Sequence, residues 1–249
     1  KEYAKRHTKK NNIPDRRNIE YYKDHVEVFT DEGSYECKLL IGCDGALSVV
    51  RRNLGFPDPK ILYGIISRTK EKDSIIKIYF DKYFSPDFFA WHIPQKGEHG
   101  LATSARPLEY FQYFQKKLRF PDGDISSAPI PIGFTRSYAH RCMLVGDACG
   151  QTKPITGGGI LFSLISANHA LSTIKEAFKE DCFERWFLQR YETRWKWSIG
   201  MEIRKQLILR NIYRRLTNKD IDKYFKYFGN YIEKIHTIDY DMLSKLWIR

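Results

Sequence analysis

Residues 143–160 form the stretch whose residue types and spacing are best suited to chemistry. A short apolar run stops at Gly146 and Asp147, a loop with Pro154 and three consecutive glycines follows, and apolar residues then resume with helical spacing. This order predicts a buried strand, a loop and a helix. Glycines allow close backbone approach, and a helix that begins after them presents its N–H groups to an electron-rich group. Since Asp147 would lie at the carboxyl end of a strand, where open α/β sheets bind ligands, we predict a ligand site here.

A second motif lies roughly 100 residues earlier, after an apolar run that ends at Ile41. Its Gly-x-Asp-Gly sequence ends in Asp44 and Gly45, and Ser48 and Arg51 follow where a helix is expected. We expect Asp44 to accept hydrogen bonds from nearby backbone N–H groups and so to hold the turn. Ser48 is interpreted as a local backbone partner, because no His or acid is placed to activate it as a nucleophile.

In composition and order, the two motifs resemble those of the p-hydroxybenzoate-hydroxylase-fold flavoproteins. The resemblance implies that Asp147 hydrogen-bonds the ribityl chain of FAD and that the glycine-rich loop caps the isoalloxazine ring, with the helix dipole favouring negative charge on reduced flavin. For Arg51 two interpretations stay open: it approaches the FAD pyrophosphate, or it caps a helix. The implied cofactor-binding residues are Asp44, Gly45, Arg51, Gly146, Asp147, Pro154, Gly157, Gly158, Gly159 and Ile160.

Within that superfamily, residues 153–160 are most similar to the geranylgeranyl reductase branch. Members of this branch saturate polyprenyl double bonds in archaeal lipids and in chlorophyll side chains. Ile160 follows the last glycine, at a position where many hydroxylases carry Asn. The resemblance covers residues 25–180 well and the C-terminal helices only loosely.

The strand that contains Trp91 extends this resemblance. Geranylgeranyl reductases carry Tyr-x-Trp-x-Phe-Pro-Lys there, and this chain keeps the Trp and Pro94, with Phe89 for Tyr and Ile93 for Phe. Strand alternation places residues 89, 91 and 93 on one face, which either lines a tunnel for an isoprenoid chain or belongs to ordinary sheet core. The resemblance implies that Phe89, Trp91, Ile93 and Pro94 bind the substrate. His92 falls on the opposite face, and we expect a surface or second-layer role for it.

Periodicity and turn residues predict the remaining elements. A hairpin that turns at residues 31–33 precedes the second motif. The strands of an antiparallel sheet follow at residues 62–66, 75–80, 88–93 and 100–104. Then come a helix over residues 107–118, a loop over 121–131, a helix from Gly159 to about Phe178, and helices over 183–217, 220–228 and 239–246, with a break or kink at Gly200.

The predicted fold class is α+β / α/β: a partial FAD-binding domain of the GR2 type, an inserted antiparallel β-sheet substrate domain, and C-terminal helices. The FAD-binding domain is expected over residues 1–60 and 134–180, the sheet domain over 61–133, and the helical region over 181–249. The resembled family begins with a Gly-x-Gly-x-x-Gly segment for the FAD pyrophosphate, and these 249 residues do not contain it. We therefore expect either a fragment or a truncated gene product.

The chain is basic, with a formal net charge of +12, and this charge limits the kinds of partner that it is expected to bind. That charge permits contact with nucleic acid, anionic lipid or a phosphorylated ligand, and the lack of a nucleic-acid motif makes nucleic acid unexpected. Residues 183–215 carry nine basic and three acidic residues with interleaved aromatics, which indicates either a peripheral helix on an anionic membrane or a solvated helix packed on its own domain. The five cysteines show no zinc-ligand spacing, so we expect no metal and a reduced, cytoplasmic chain.

The resemblance implies an FAD-dependent oxidoreductase of lipid biosynthesis that saturates isoprenoid double bonds by hydride transfer from reduced flavin. The substrate would be a prenyl lipid, and the electron donor NAD(P)H or ferredoxin. No catalytic residue can be assigned, because no His or acid occupies a motif position that demands a proton donor. Two alternatives stay open: a flavin monooxygenase or halogenase on the same scaffold, and a non-catalytic remnant that binds lipid or protein.

Overall fold

The computed structural model describes residues 5–7, 18–69 and 75–232. The strands in chain order are β1 (Lys5–His7), β2 (Ile19–Tyr21), β3 (Val26–Thr30), β4 (Gly33–Cys37), β5 (Leu40–Gly42), β6 (Lys60–Arg68), β7 (Lys77–Tyr79), β8 (Ala90–Ile93), β9 (Glu98–Thr103), β10 (Asp124–Ile132), β11 (Tyr138–Ala139) and β12 (Cys142–Leu144). The α-helices are α1 (Val49–Asn53), α2 (Pro107–Leu118), α3 (Ile160–Lys179), α4 (Arg185–Trp195), α5 (Met201–Arg215) and α6 (Asn218–Ile232).

The chain divides into two compact units. The first takes the described residues up to 60 together with residues 133–153 and 157–203, and the second takes residues 61–132, 154–156 and 204 onwards. The sheet domain is thus inserted between two parts of the first unit, and the residues after 203 group with that sheet. Among the described residues, no helix has both the length and the apolar character that crossing a bilayer requires.

The first unit contains two small sheets. One is antiparallel, in the order β1-β4-β3-β2, and its β3–β4 hairpin is the one that the turn at residues 31–33 predicted. The other has the order β11-β12-β5, in which β5 and β12 run parallel with Leu144 opposite Gly42. The two motifs therefore begin at the same edge of one sheet, because parallel strands have their carboxyl ends side by side.

Helix α4 packs on the strand that leads into the first motif. The Tyr191 hydroxyl donates to the carbonyl of Leu144 at 2.9 Å, and the Gln151 amide donates to the same hydroxyl at 3.0 Å. The Trp195 indole donates to the Ser137 hydroxyl at 2.8 Å. Tyr191 and Trp195 are both fully buried, so this helix fixes β12 and the turn after it through satisfied buried polar groups.

The second unit is a five-stranded sheet in the order β10-β6-β9-β8-β7, with α2 against one face. The β6–β9, β9–β8 and β8–β7 pairs are all antiparallel. One apolar cluster joins the sheet to α2 through Leu101, Phe111 and Phe114. A second cluster contains Phe88, and Phe89, Trp91 and Leu207 pack against it. The four predicted strands are confirmed, with bounds shifted by a few residues.

The prediction of a loop over residues 121–131 is wrong, because residues 124–132 form β10. Pro129 and Pro131 argued against a strand, since proline cannot donate to a ladder. β10 lies at the edge of the sheet, where one side of the strand has no neighbour in the sheet and the missing N–H groups cost little. The two prolines are therefore compatible with this edge strand, although they would not be compatible with a central strand of the sheet.

The C-terminal helices follow the prediction in part. Gly200 ends a π-helical turn, Lys196–Gly200, that joins α4 to α5, so the backbone widens there instead of breaking. The helix predicted over residues 220–228 is α6. The helix predicted over residues 239–246 lies outside the described residues.

Candidate functional site

The motif around Asp44 is a helix-capping turn. The Asp44 carboxylate accepts hydrogen bonds from the Ser48 hydroxyl at 2.6 Å and from the backbone N–H groups of Val49 and Val50 at 2.7 and 3.1 Å. The Ser48 hydroxyl in turn accepts from the Arg51 N–H at 2.9 Å. Gly45 has a φ of +80°, which glycine adopts without strain. The expected roles of Asp44 and Ser48 as backbone partners are confirmed.

Arg51 is fully buried and holds three parts of the first unit together. Its Nη1 donates to the Ala148 carbonyl at 2.7 Å, its Nη2 donates to the Ala46 carbonyl at 2.9 Å and to Asp58, and its Nε also donates to Asp58, at 3.0 Å. The guanidinium holds the pKa of the Asp58 carboxyl below its usual range. Simple helix capping does not describe this residue, and its contact with the FAD pyrophosphate stays a prediction. These contacts give Arg51 a structural role.

Asp147 lies in the 3₁₀ turn Gly146–Cys149, immediately after β12. Its side chain is half-buried, and burial raises the pKa of its carboxyl. Within the described part of the chain, no donor makes a hydrogen bond to this carboxylate, unlike the Asp44 carboxylate, which has three. A carboxylate in this state can accept hydrogen bonds from a ligand without losing any that it makes in the protein.

The glycine-rich loop is closed by its own backbone. Gly157 N–H donates to the Lys153 carbonyl at 2.8 Å, and Lys153 N–H donates to the Gly158 carbonyl at 2.9 Å. Gly157 has a φ of +72°, and a Cβ on Gly159 would lie 2.8 Å from Oδ1 of Asp147. The absence of side chains here therefore keeps the space beside the Asp147 carboxylate open.

Helix α3 begins directly after this loop. No side chain caps its N-terminus, where Gly159 is the N-cap residue, so its first N–H groups and the positive end of its dipole remain available. Ile160, the first residue of the helix, is 81% exposed. Pro154 is buried and groups with the second unit, whereas Gly157 and Gly158 group with the first.

The predicted substrate residues lie in the second unit. Phe89 precedes β8 and stacks on Phe88, with ring centroids 4.2 Å apart. Trp91 and Ile93 are half-buried, and the Trp91 indole N–H donates to Glu98 at 3.1 Å. Pro94 is buried at the start of a 3₁₀ turn. The three side chains of one strand face are thus present, and their role in substrate binding stays a prediction.

His92 lies on the more buried face of β8, so the surface alternative is wrong. Its ring centroid lies 4.8 Å from that of Phe120. Its cross-strand neighbour His99 stacks between aromatic rings and contacts the Gln115 amide at 3.1 Å. Burial lowers the pKa of His99 to about 4. Both histidines therefore belong to the core of the sheet domain.

Sequence analysis missed a cavity of about 200 Å³ in the second unit. Phe89 was the one wall residue identified from the sequence as a candidate. The other wall residues are Phe80, Phe88, Ile155, Leu209, Arg210 and Tyr213. Helical spacing from Leu207 leads to Arg210 and could have shown that this arginine shares the buried face of α5.

The basic segment over residues 183–215 is partly neutralised within the protein. Arg194 makes two hydrogen bonds to Glu176, at 2.7 and 2.9 Å, and Lys196 donates to Glu192 at 2.6 Å. The aromatic side chains of the segment differ in exposure: Trp195 is buried, and Trp197 is 86% exposed. Contact of this segment with an anionic membrane stays a prediction.

Comparisons with known proteins give sequence relatives, although no protein-family model matches this chain. A digeranylgeranylglycerophospholipid reductase 2 of Methanothermobacter thermautotrophicus is 28% identical over 207 residues, covering 75% of this chain and 53% of that protein. A digeranylgeranylglycerophospholipid reductase of Methanothrix thermoacetophila is 28% identical over 237 residues, covering 86% of this chain and 57% of that protein. The chain spans about half the length of the curated relatives it matches. Their names confirm the resemblance that the two motifs showed.

Solved structures give the same fold. A geranylgeranyl bacteriochlorophyll reductase-like protein of Thermoplasma acidophilum matches with a TM-score of 0.73 at 19% identity, over 83% of this chain and 59% of that one. An anhydrotetracycline hydroxylase of Streptomyces rimosus matches with a TM-score of 0.54 at 21% identity, over 79% of this chain and 44% of that one. The predicted fold class is confirmed.

Proposed function

We propose that this chain, a relative of the geranylgeranyl-reductase-type FAD oxidoreductases, contains the part of such an enzyme that holds the ribityl chain and isoalloxazine ring of FAD and a prenyl-lipid substrate. The observation that carries the proposal is the Asp147 carboxylate, which is half-buried, has no donor bonded to it among the described residues, and faces the space left by Gly159. A buried carboxylate needs hydrogen-bond donors, and the hydroxyl groups of a ribityl chain supply them.

The residues around Asp147 fit a flavin in two further respects. The closed loop with Gly157 and Gly158 lets a flat ring approach the backbone without meeting side chains. The uncapped N-terminus of α3 places partial positive charge beside that loop, which favours negative charge on a reduced ring. Because Asp147 acts as an acceptor in this arrangement, it serves as a cofactor ligand and not as a proton donor.

Once reduced by an electron donor such as NAD(P)H or ferredoxin, bound FAD would supply a hydride for one alkene carbon while a proton adds to the other, and the protein would orient the alkene and exclude water. Phe89, Trp91 and Ile93 provide apolar and aromatic surface for an isoprenoid chain. The alternative of a monooxygenase is less well supported. The curated relatives reported above are named reductases, and Ile160 replaces the Asn found in many hydroxylases. In an assay with FAD, an electron donor and a prenyl lipid, saturated prenyl product without peroxide release would support the reductase, and oxygenated product would contradict it.

Flavin titration of this chain tests the Asp147 site. We expect FAD and riboflavin both to bind with quenching of flavin fluorescence, because riboflavin contains the ribityl chain and ring that this site would hold. Asp147→Asn should weaken both ligands by about 10-fold or more, since it replaces a charged acceptor by a neutral one. Asp181→Asn is the matched control, because Asp181 is an exposed carboxylate of the same unit that pairs with Lys38 at 2.8 Å.

Three outcomes decide between the hypotheses. Weakened binding in the Asp147 variant alone supports the site. Equal flavin affinity in the wild type and the Asp147 variant contradicts it. A chain that binds neither ligand would contradict the flavin site in this chain and favour the hypothesis of a non-catalytic binding module.

A further inference from the structure

Arg210 occupies a position on α5 where an apolar residue is expected. The buried side of this helix repeats at helical spacing through Ile203, Gln206, Leu207 and Arg210. Arg210 is only 7% exposed, whereas its neighbour Leu209 is 42% exposed. A charged side chain has therefore taken a core position and an apolar one has been left at the surface, which costs stability unless the charge has partners.

The guanidinium of Arg210 has few partners. Its Nη2 lies 3.4 Å from Oδ2 of Asp87, and its centre lies 5.3 Å from the ring centroid of Phe88. The other oxygen of Asp87 accepts from the Thr103 hydroxyl at 2.9 Å and from Ser104 N–H at 3.2 Å. Within the described part of the chain, no further acceptor bonds to the guanidinium, so most of its N–H donors are left for something else.

Arg210 is also a wall residue of the cavity of about 200 Å³. The remaining walls are almost entirely apolar, with Phe80, Phe89 and Ile155 among them. Pockets for whole drug-sized ligands measure about 300–1,000 Å³, so this cavity suits one end of a longer ligand. The cavity is apolar, and the guanidinium at its wall has unused hydrogen-bond donors. It therefore matches the end of a ligand in which a hydrocarbon chain adjoins a negatively charged group.

The charges around Arg210 favour an anion. Lys82 and Arg214 both lie close enough to influence its surroundings, and Asp81 and Asp87 oppose them. Lys82 donates to the carbonyls of Pro86 and Tyr213, at 3.1 and 2.9 Å, and burial lowers its pKa to about 8. Lys82 and Arg214 therefore add to the positive potential at Arg210, which Asp87 offsets in part.

We propose that Arg210 binds an oxyanion at the end of a hydrocarbon chain, such as the phosphate of a prenyl phosphate, while the aromatic cavity takes the adjoining carbons. This assignment rests on the proposed function for the chemical class of the substrate. Arg210 would select an ionised prenyl lipid over a neutral prenyl alcohol of the same length. Binding requires no flavin, because all of these residues belong to the second unit.

Binding of paired probes tests the assignment directly. The probes are geranylgeranyl phosphate, geranylgeraniol and inorganic phosphate, titrated into the full chain by calorimetry. We expect the prenyl phosphate to bind at least about 10-fold more tightly than the alcohol, since a hydrogen bond to a charged group contributes about 1.5–3 kcal/mol. Equal affinity for phosphate and alcohol overturns the role of Arg210. Inorganic phosphate that binds as tightly as the prenyl phosphate overturns the role of the cavity.

Variants locate the effect at Arg210. Arg210→Gln should abolish the preference for phosphate over alcohol, and Arg210→Lys should retain part of it, because the point charge remains. Asp87→Asn removes the opposing charge and should tighten phosphate binding without changing alcohol binding, a gain that misfolding cannot produce. Leu209→Ala, at an exposed wall position, should weaken both prenyl ligands equally. A phosphate preference that persists in a folded Arg210→Gln variant overturns the proposal.

The flavin site and this site can fail separately. Asp147→Asn should leave the affinity for prenyl phosphate unchanged, because Asp147 belongs to the first unit. Loss of flavin binding with an intact phosphate preference would contradict the proposed function and support Arg210. Intact flavin binding without a preference for phosphate over alcohol would support the proposed function and contradict the role of Arg210.

Discussion

Replacement of Arg51 by methionine should destabilise the first unit strongly. Arg51→Met removes the donors to the carbonyls of Ala46 and Ala148, both of which belong to buried residues, and leaves those carbonyls without their partner. It also removes the ion pair with Asp58, whose side chain is 48% exposed, so water replaces much of that contact. Two lost charged hydrogen bonds at about 1.5–3 kcal/mol each give an expected loss of about 3–6 kcal/mol in the free energy of unfolding.

Urea denaturation of matched variants measures this loss. Arg52→Met is the control, because Arg52 is half-exposed and lies 3.4 Å from the same Asp58 carboxylate. That variant should lose less than about 1 kcal/mol, as is typical of surface ion pairs. Free energies from linear extrapolation are compared only if the slopes with denaturant agree. An Arg51→Met variant that unfolds like the wild type, yet binds flavin more weakly, would refute the structural role and support Arg51 as a cofactor ligand.

Two further predictions concern stability. Acidification should destabilise the protein through His99, because the unfolded side chain takes up a proton below pH 6.5 and the folded one only below about pH 4. The stabilisation is fully present above pH 6.5 and is lost progressively towards pH 4, by about 3 kcal/mol in total. In urea titrations at each pH, the His99→Phe variant should lose less stability over that window than the wild type. Equal losses in the two proteins would exclude His99 as the cause. Gly150→Ala should cost about 3 kcal/mol or more, because its Cβ would lie 1.9 Å from the Gly133 carbonyl oxygen. Gly55→Ala, at a φ of +68° with nothing within 4 Å, should cost only about 1–2 kcal/mol, and similar melting temperatures for the two variants would contradict the close approach.

The strand, loop and helix over residues 143–160 could be predicted from the sequence because each is encoded locally. Hydrophobic runs, glycines and helical spacing within 18 consecutive residues are enough to define them. The capping role of Asp44 was equally predictable, since all three of its donors lie within six residues. Resemblance to a family added the cofactor, which no spacing in this chain shows.

Features that depend on distant parts of the chain could not be predicted. The structural role of Arg51 could not be predicted, because its partner at Ala148 lies 97 residues away in sequence. β10 was taken for a loop because its prolines are tolerated only at a sheet edge, and edge position is a property of the whole sheet. On α5, tertiary packing buries Arg210 and leaves the apolar residues Leu209 and Ile212 exposed, which the sequence alone does not show.

The parallel pairing of β5 with β12 has a consequence for how the protein folds. Leu40 pairs with Cys142 across a chain separation of about 100 residues, and all five strands of the five-stranded sheet lie between them in sequence. Closing so long a loop costs little more free energy than closing one half as long, about 0.6 kcal/mol, but it raises the contact order and slows folding. We therefore expect the sheet edge that carries both motifs to form late in folding. During synthesis, β5 would stay without its partner β12 until residue 144 has been made. The same slow growth of loop cost means that the inserted sheet can gain or lose residues in evolution while the two motifs remain side by side.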